Sequence, residues 1–159
     1  MTGIVVLGVV LCAALVVALV LQGRSGKVRA TEPAAEPTDH RRALLREAGV
    51  TGPGPTVLHF SADWCGPCAA VRRVVGQTLT ALDARLAPGV PRPTDLELDI
   101  DENPALAREL GVLSLPTTFV YDGDGVQRHR VSGVPTSSDL EAALVPLCEP
   151  QGSNPPETR

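Results

Sequence analysis

Two cysteines three positions apart, in the segment Trp64-Cys65-Gly66-Pro67-Cys68, constrain the fold and chemistry of this chain more than any other feature. An apolar, strand-like run precedes them and a helix-like stretch follows. A helix starting at or near Cys65 would place that thiol where unpaired N–H groups and the helix dipole favour a thiolate. Cys68 lies one turn further along and can attack a mixed disulfide formed at Cys65. Pro67 suits the first turn of such a helix, because that position needs no N–H donor.

Composition limits the other chemistries open to the chain. The net charge of −4 offers no basic face of the kind that binds nucleic acid. A structural zinc ion usually needs four ligands. Near the cysteine pair only His59 could add one, so a metal would require two chains, and we predict none. No nucleotide or flavin motif is present, so we predict no cofactor and a separate source of electrons. Cys12 and Cys148 are interpreted as an apolar residue and an incidental thiol.

Residues 3–22 contain no charged side chain and are dominated by Val, Leu, Ile and Ala. Twenty residues of helix reach about 30 Å, the thickness of the hydrocarbon core of a bilayer. The alternative is a secretory signal peptide, which needs a positively charged start, a shorter apolar run and a small-residue cleavage site. We therefore predict a retained, single-pass transmembrane helix in the cytoplasmic membrane.

The charges that follow this run predict its orientation. Arg24, Lys27 and Arg29 lie just after it, and only the terminal amine lies before it. The positive-inside rule then places the remainder of the chain in the cytoplasm. Three charges are a weak bias, so an extracytoplasmic domain stays open as the alternative.

Beyond the predicted anchor, the chain divides into a linker at 23–37, a folded domain at 38–148 and a polar, proline-rich, disordered tail at 149–159. Periodicity, caps and turn residues in the folded domain predict the order αβαβαββα. That order is typical of an α/β fold with a mixed central sheet flanked by helices. The predicted elements span 39–48, 56–62, 65–86, 95–100, 103–110, 117–121, 126–131 and 136–147, with a hairpin turn at 122–125.

Three motifs between about residues 39 and 147 resemble the thioredoxin family. They are the WCGPC segment after an apolar strand, Leu-Pro-Thr at 115–117 before the Asp-Gly turn, and Val-Ser-Gly at 131–133 after the hairpin. The resemblance implies a thioredoxin-like fold in which Pro116 is a cis proline facing the thiols. A strand-initiating proline is the alternative. Gly133 would lie beside Pro116 and leave room for an extended substrate. The predicted substrate-binding residues are Trp64, Gly66, Pro67, Leu115, Pro116 and Gly133.

The chain departs from the family pattern beneath the thiols. The family carries a buried Asp six residues before the first cysteine and a Lys on the neighbouring strand, and here those positions hold His59 and Glu97. Histidine can accept and return a proton near neutral pH, so we predict that His59 is a general base toward Cys68. The alternative is a strand histidine bonded to the backbone. The family's N-terminal strand is not evident before Asp39, which predicts a sheet with one strand fewer.

These observations predict a membrane-tethered thiol–disulfide oxidoreductase that reduces protein disulfides through Cys65 and Cys68. Its partners would be disulfide-containing proteins and an electron-donating reductase or thiol pool. An extracytoplasmic protein that handles exported proteins or cytochrome maturation is one alternative. A membrane-anchored binding module that uses the same fold without turnover is the other.

Overall fold

The computed structural model describes residues 6–8, 10–13, 15, 29–30 and 38–148. The described residues between 6 and 15 are helical. Among all the described residues, no helix combines the length and the apolar character that crossing a membrane requires. Most of the predicted anchor and linker, and the whole predicted tail at 149–159, lie outside the described residues.

A five-stranded mixed sheet organises the described part of the chain, with strand order β1-β5-β4-β2-β3. The strands are β1 Arg29–Ala30, β2 Thr56–Ser61, β3 Thr94–Asp99, β4 Thr117–Tyr121 and β5 Gln127–Ser132. β2 pairs with β3 in parallel, and β2–β4, β4–β5 and β1–β5 are antiparallel. The predicted mixed sheet is therefore confirmed.

The prediction of a sheet with no strand before Asp39 is wrong. Arg29 and Ala30, inside the predicted linker, pair antiparallel with Arg130 and His129 at the edge of β5. An edge strand presents unpaired N–H and C=O groups that any nearby extended segment can satisfy. A two-residue pairing of this kind has too few residues to produce an alternating pattern, so the sequence does not mark it.

Four helices cover the two faces of the sheet: α1 Asp39–Glu47, α2 Cys68–Asp83, α3 Pro104–Glu109 and α4 Ser137–Cys148. Thr38 caps α1, because its Oγ1 accepts a hydrogen bond of 3.2 Å from the Arg41 N–H. α3 begins at Pro104, which lacks the N–H that the first helical position does not use.

The central strand β2 is buried along its whole length and separates two apolar clusters. Leu58 and Phe60 pack with residues of α1 and α3, whereas Val57 packs with residues of α2 and α4. Side chains two residues apart share a face of a strand. His59 and Ser61 therefore lie on the same face as Val57, toward α2 and the cysteine that begins it.

The predicted hairpin turn after β4 is confirmed. The Asp122 N–H donates to the Val126 carbonyl oxygen, and the Gly125 N–H donates to the Asp122 carbonyl oxygen, both at 3.0 Å. Gly125 has a φ of +76°, a left-handed conformation that glycine adopts without a steric cost. The turn returns the chain into β5 and brings the loop after β5 to the site described next.

Candidate redox site

Cys65 and Cys68 form a disulfide bond with their Cα atoms 5.5 Å apart. α2 begins at Cys68 with Pro67 as its N-cap, so the prediction that the helix starts at Cys65 is wrong by one turn. The reason is local, because the residue before a proline, here Gly66, is disfavoured in the helical conformation. The Cys65 sulfur is nevertheless bonded to the sulfur of the first helical residue. The thiolate formed on reduction thus stays beside the helix N-terminus.

The two cysteines are both buried, but they differ in their remaining access to solvent. Cys65 is 8% exposed and Cys68 is 1% exposed. The Cys68 Sγ lies 4.0 Å from the carbonyl oxygen of Phe60 on β2. A bulky disulfide can therefore approach Cys65 but not Cys68, as the predicted order of attack requires.

The rim of the disulfide on its α2 side is exposed. Trp64 is 72% exposed, and its Nε1–H donates to Asp101 Oδ2 at 3.3 Å. Gly66 and Pro67 are also exposed. These three predicted substrate-binding residues therefore surround the reactive sulfur on a surface that a partner can reach.

The opposite rim is built from two loops that flank β4 and β5. The Leu115–Pro116 peptide bond is cis, as the resemblance implies. Leu115 packs against the two cysteines and Ala62. Gly133 adopts a φ of +94°, and its N–H donates to the Pro116 carbonyl oxygen at 2.8 Å. The fold thus brings Leu115, Pro116 and Gly133 together from separate parts of the sequence.

His59 is 1% exposed and makes an unforeseen contact. Its Cα partner on β3 is Glu97, as predicted, but its Nε2 lies 3.1 Å from Asp95 Oδ1. The Glu97 carboxylate accepts a 2.7 Å hydrogen bond from Arg72 Nε on α2. The alternative of a histidine bonded to the backbone is therefore not what the structure shows. Asp95 was missed, although it shares a strand face with Glu97 and the two-residue spacing was a usable signal.

Glu97 lies on the same face of the sheet as His59 and has its own polar partners. Partial burial raises the pKa of the Glu97 carboxyl, but hydrogen bonds from Ser61 and Arg72 and the charges of His59 and Arg72 outweigh it. The net effect is a lowered pKa, so this carboxylate keeps its charge at neutral pH. Glu97 is therefore suited to hold Arg72 in place and unsuited to act as a proton donor there.

The other two cysteines form no disulfide bond. Cys12 is exposed in the N-terminal helical stretch, and Cys148 is buried at the end of α4. Burial raises the pKa of the Cys148 thiol, which keeps it protonated and weakly nucleophilic. Within the described ranges, no group of three His, Cys, Asp or Glu residues is arranged to hold a metal ion.

A family model described as thioredoxin matches residues 46–145 of this chain. The chain belongs to the thioredoxin family. A thioredoxin of Aspergillus fumigatus, Asp f 29, is 35% identical over 101 residues, which cover 64% of this chain and 84% of that protein. A thioredoxin of Streptomyces clavuligerus is 35% identical over 92 residues, covering 58% and 78% of the two chains.

A solved structure agrees at the level of the fold. Chloroplastic thioredoxin z aligns with a TM-score of 0.51 at 21% identity, covering 75% of this chain and 97% of that one. Together, the family membership and the cysteine pair make this chain a thioredoxin-type protein-disulfide reductase, which acts on disulfide-containing proteins.

Proposed function

We propose that this thioredoxin-family chain reduces protein disulfides while tethered to a membrane, with Cys65 as the attacking thiol and Cys68 as the resolving thiol. The observation that carries the proposal is the disulfide itself. Its less buried cysteine, Cys65, is surrounded by an exposed rim, and its more deeply buried cysteine, Cys68, begins a helix. This arrangement gives one sulfur access to a partner and keeps the other within reach of the first.

The proposed cycle starts from the dithiol. The Cys65 thiolate attacks one sulfur of a substrate disulfide, forming a mixed disulfide and releasing the first substrate thiolate. Cys68 then loses its proton and attacks the Cys65 sulfur, which releases the second substrate thiol. The substrate has gained two electrons, and the Cys65–Cys68 disulfide seen in the structure is the oxidised product. A reductase or a thiol pool must return two electrons and two protons before the next cycle.

The predicted substrate-binding residues would hold an extended segment across the disulfide. Trp64, Gly66 and Pro67 would contact it on one side, and Leu115, Pro116 and Gly133 on the other. Glycine at position 133 supports this assignment, because a residue without a side chain leaves space for a second backbone. Direct backbone pairing would give affinity with little dependence on the substrate sequence.

We propose His59 as the base that accepts the proton of Cys68 before the resolving step. His59 lies on the α2 side of β2 and is held by the Asp95 carboxylate. Replacing His59 with Asn keeps a donor toward Asp95 but removes the base. The resolving rate is expected to fall about a hundredfold at neutral pH, the usual size of a general-base contribution. The pH dependence of the resolving rate in H59N should therefore differ from that of the wild type.

Stopped-flow measurement of mixed-disulfide decay between pH 5.5 and 8.5 tests this assignment directly. Glu97→Gln is the matched control, because it alters the neighbouring carboxylate that contacts Arg72 rather than His59. It should shift the absolute rate slightly and retain the pH dependence. A profile of the same shape in H59N and the wild type would rule out His59 as the base.

The proposed tether is the uncharged segment at residues 3–22. Its described apolar side chains are helical and more than half exposed, which suits a helix surrounded by lipid: Val6, Leu7, Val10, Leu11 and Leu15. The full chain is expected to stay in the membrane pellet after alkaline carbonate extraction, and a chain lacking residues 3–22 should move to the supernatant. Release of the full chain by carbonate would contradict the proposal. Insulin reduction should be equal in both proteins.

We further propose that the thioredoxin domain faces the cytoplasm, on the strength of Arg24, Lys27 and Arg29 after the apolar segment. Fusions at the C-terminus separate the two orientations. A fluorescent-protein fusion should be bright and an alkaline-phosphatase fusion inactive. The reverse result would place the domain outside the membrane and favour exported proteins or cytochrome maturation as its field of action.

A further inference from the structure

Two segments that border the disulfide carry exposed apolar side chains. In the folded domain at 38–148, three large hydrophobic residues are exposed: Trp64 at 72%, Leu113 at 93% and Val145 at 37%. Trp64 precedes Cys65 in sequence, and Leu113 lies two residues before Leu115, which packs on the cysteines. An exposed apolar side chain in such a segment can contact a partner that reaches the disulfide.

The loop that carries Leu113 is held by an arginine of β5. Arg130 on β5 donates from Nη1 to the Leu110 carbonyl oxygen at 3.0 Å and from Nη2 to the Gly111 carbonyl oxygen at 2.7 Å. Its guanidinium carbon also lies 5.0 Å from the centre of the Phe119 ring. Charge-assisted bonds of this kind fix the backbone just before Leu113. Leu113 is therefore exposed on a loop whose preceding backbone is held in place.

We propose that Leu113 determines substrate specificity by binding an apolar side chain that flanks the reacting cysteine of an extended substrate segment. This inference rests on the proposed function. When a substrate cysteine reaches Cys65, the residues that flank it in the substrate must lie over the rim of the disulfide. The surface is continuous with the reactive disulfide through Leu115. Its occupant is accordingly the substrate segment itself, with an aliphatic or aromatic residue close to its cysteine.

The expected preference for leucine over serine depends on the apolar area that such a contact would bury. Complete burial of a leucine side chain is worth enough to change a rate or binding constant by more than tenfold. A contact at an open rim buries part of each partner, so we expect a preference of about tenfold in kcat/KM. A small disulfide without flanking residues does not reach Leu113 and should show no preference.

The experiment uses the full chain and a set of disulfide-bonded peptides that carry either leucine or serine, in turn, at each position near the reacting cysteine. The wild type should reduce the best leucine peptide about ten times more efficiently than its serine counterpart. Leu113→Ser should remove this difference, and Leu113→Met should keep it. Val145→Ser, the same kind of exposed change on α4, should behave as the wild type.

The outcomes separate this inference from the function on which it rests. Hydroxyethyl disulfide should be reduced equally by the wild type and all three variants. A wild type that reduces no peptide would contradict the proposed function. Two results would overturn the role of Leu113 alone. One is a wild type that reduces leucine and serine peptides equally well, and the other is an L113S variant that still prefers the leucine peptides. Since Leu113 is almost fully exposed, a folding defect does not confuse the comparison.

Discussion

Replacing Cys65 with Ser is expected to abolish reduction of insulin disulfides, lowering the rate about a thousandfold or more. A serine hydroxyl is not ionised at neutral pH, so the variant lacks the anion that attacks the substrate sulfur. Cys68 cannot substitute for it, because its side chain is 1% exposed and a protein disulfide cannot reach it. Turbidity caused by the freed insulin chains, followed with dithiothreitol as the electron source, measures the effect.

Two further cysteine variants test whether the loss of activity is specific to Cys65. Cys68→Ser should keep the first attack and lose the resolving step, so a covalent complex with the substrate should accumulate on a non-reducing gel. Cys148→Ser is the matched control, because that thiol is buried at the end of α4. It should reduce insulin at the wild-type rate. If C65S and the wild type gave equal rates, the chain would instead be a binding module without turnover.

Replacing Asp122 with Ala is expected to cost about 3 kcal/mol of folding free energy. Asp122 is 6% exposed, and its Oδ1 accepts hydrogen bonds from the N–H groups of Asp124 at 3.0 Å and Val126 at 2.8 Å. Its Oδ2 pairs with Arg128 Nε at 2.6 Å. Alanine leaves both amides and the guanidinium without this acceptor. For a chain of this size the loss corresponds to a fall in Tm of about 10 °C, measurable by thermal unfolding.

The neighbouring Asp124 provides the comparison for this variant. Asp124 is exposed in the same turn, so Asp124→Ala should change the unfolding free energy by no more than about 0.5 kcal/mol. Asp122→Asn, which keeps an oxygen for the two amides but loses the ion pair, should fall between the two. If D122A and D124A were equally stable, the turn would depend on its backbone and not on the buried carboxylate.

Elements with a local signal were predicted closely. The strand at 117–121 has the predicted bounds, and the hairpin turn that follows it forms where it was predicted. Each of these signals involves residues within one or two turns of each other. Side-chain periodicity, cap hydrogen bonds and turn conformations are properties of short segments, so they can be recognised without knowing the rest of the fold.

Features that depend on distant partners were missed or misplaced. The prediction paired His59 with Glu97, but Arg72 on α2 binds Glu97 and leaves Asp95 for the histidine. The two-residue strand at the sheet edge and the Arg130 contacts beneath the Leu113 loop left no pattern in the sequence. Each joins residues from separate elements, and only the packed chain determines which of several charged groups comes within bonding distance.

The sequence by itself determined the chemistry of this protein, because two thiols separated by Gly-Pro at the start of a helix can exchange electrons wherever that segment folds. Only the tertiary structure decided which carboxylate holds the buried histidine and which side chains from distant segments surround the disulfide. The reactivity of the two thiols follows from their spacing along the chain. The burial of the cysteines and the hydrogen-bond partner of His59 follow from how distant segments pack together and exclude water.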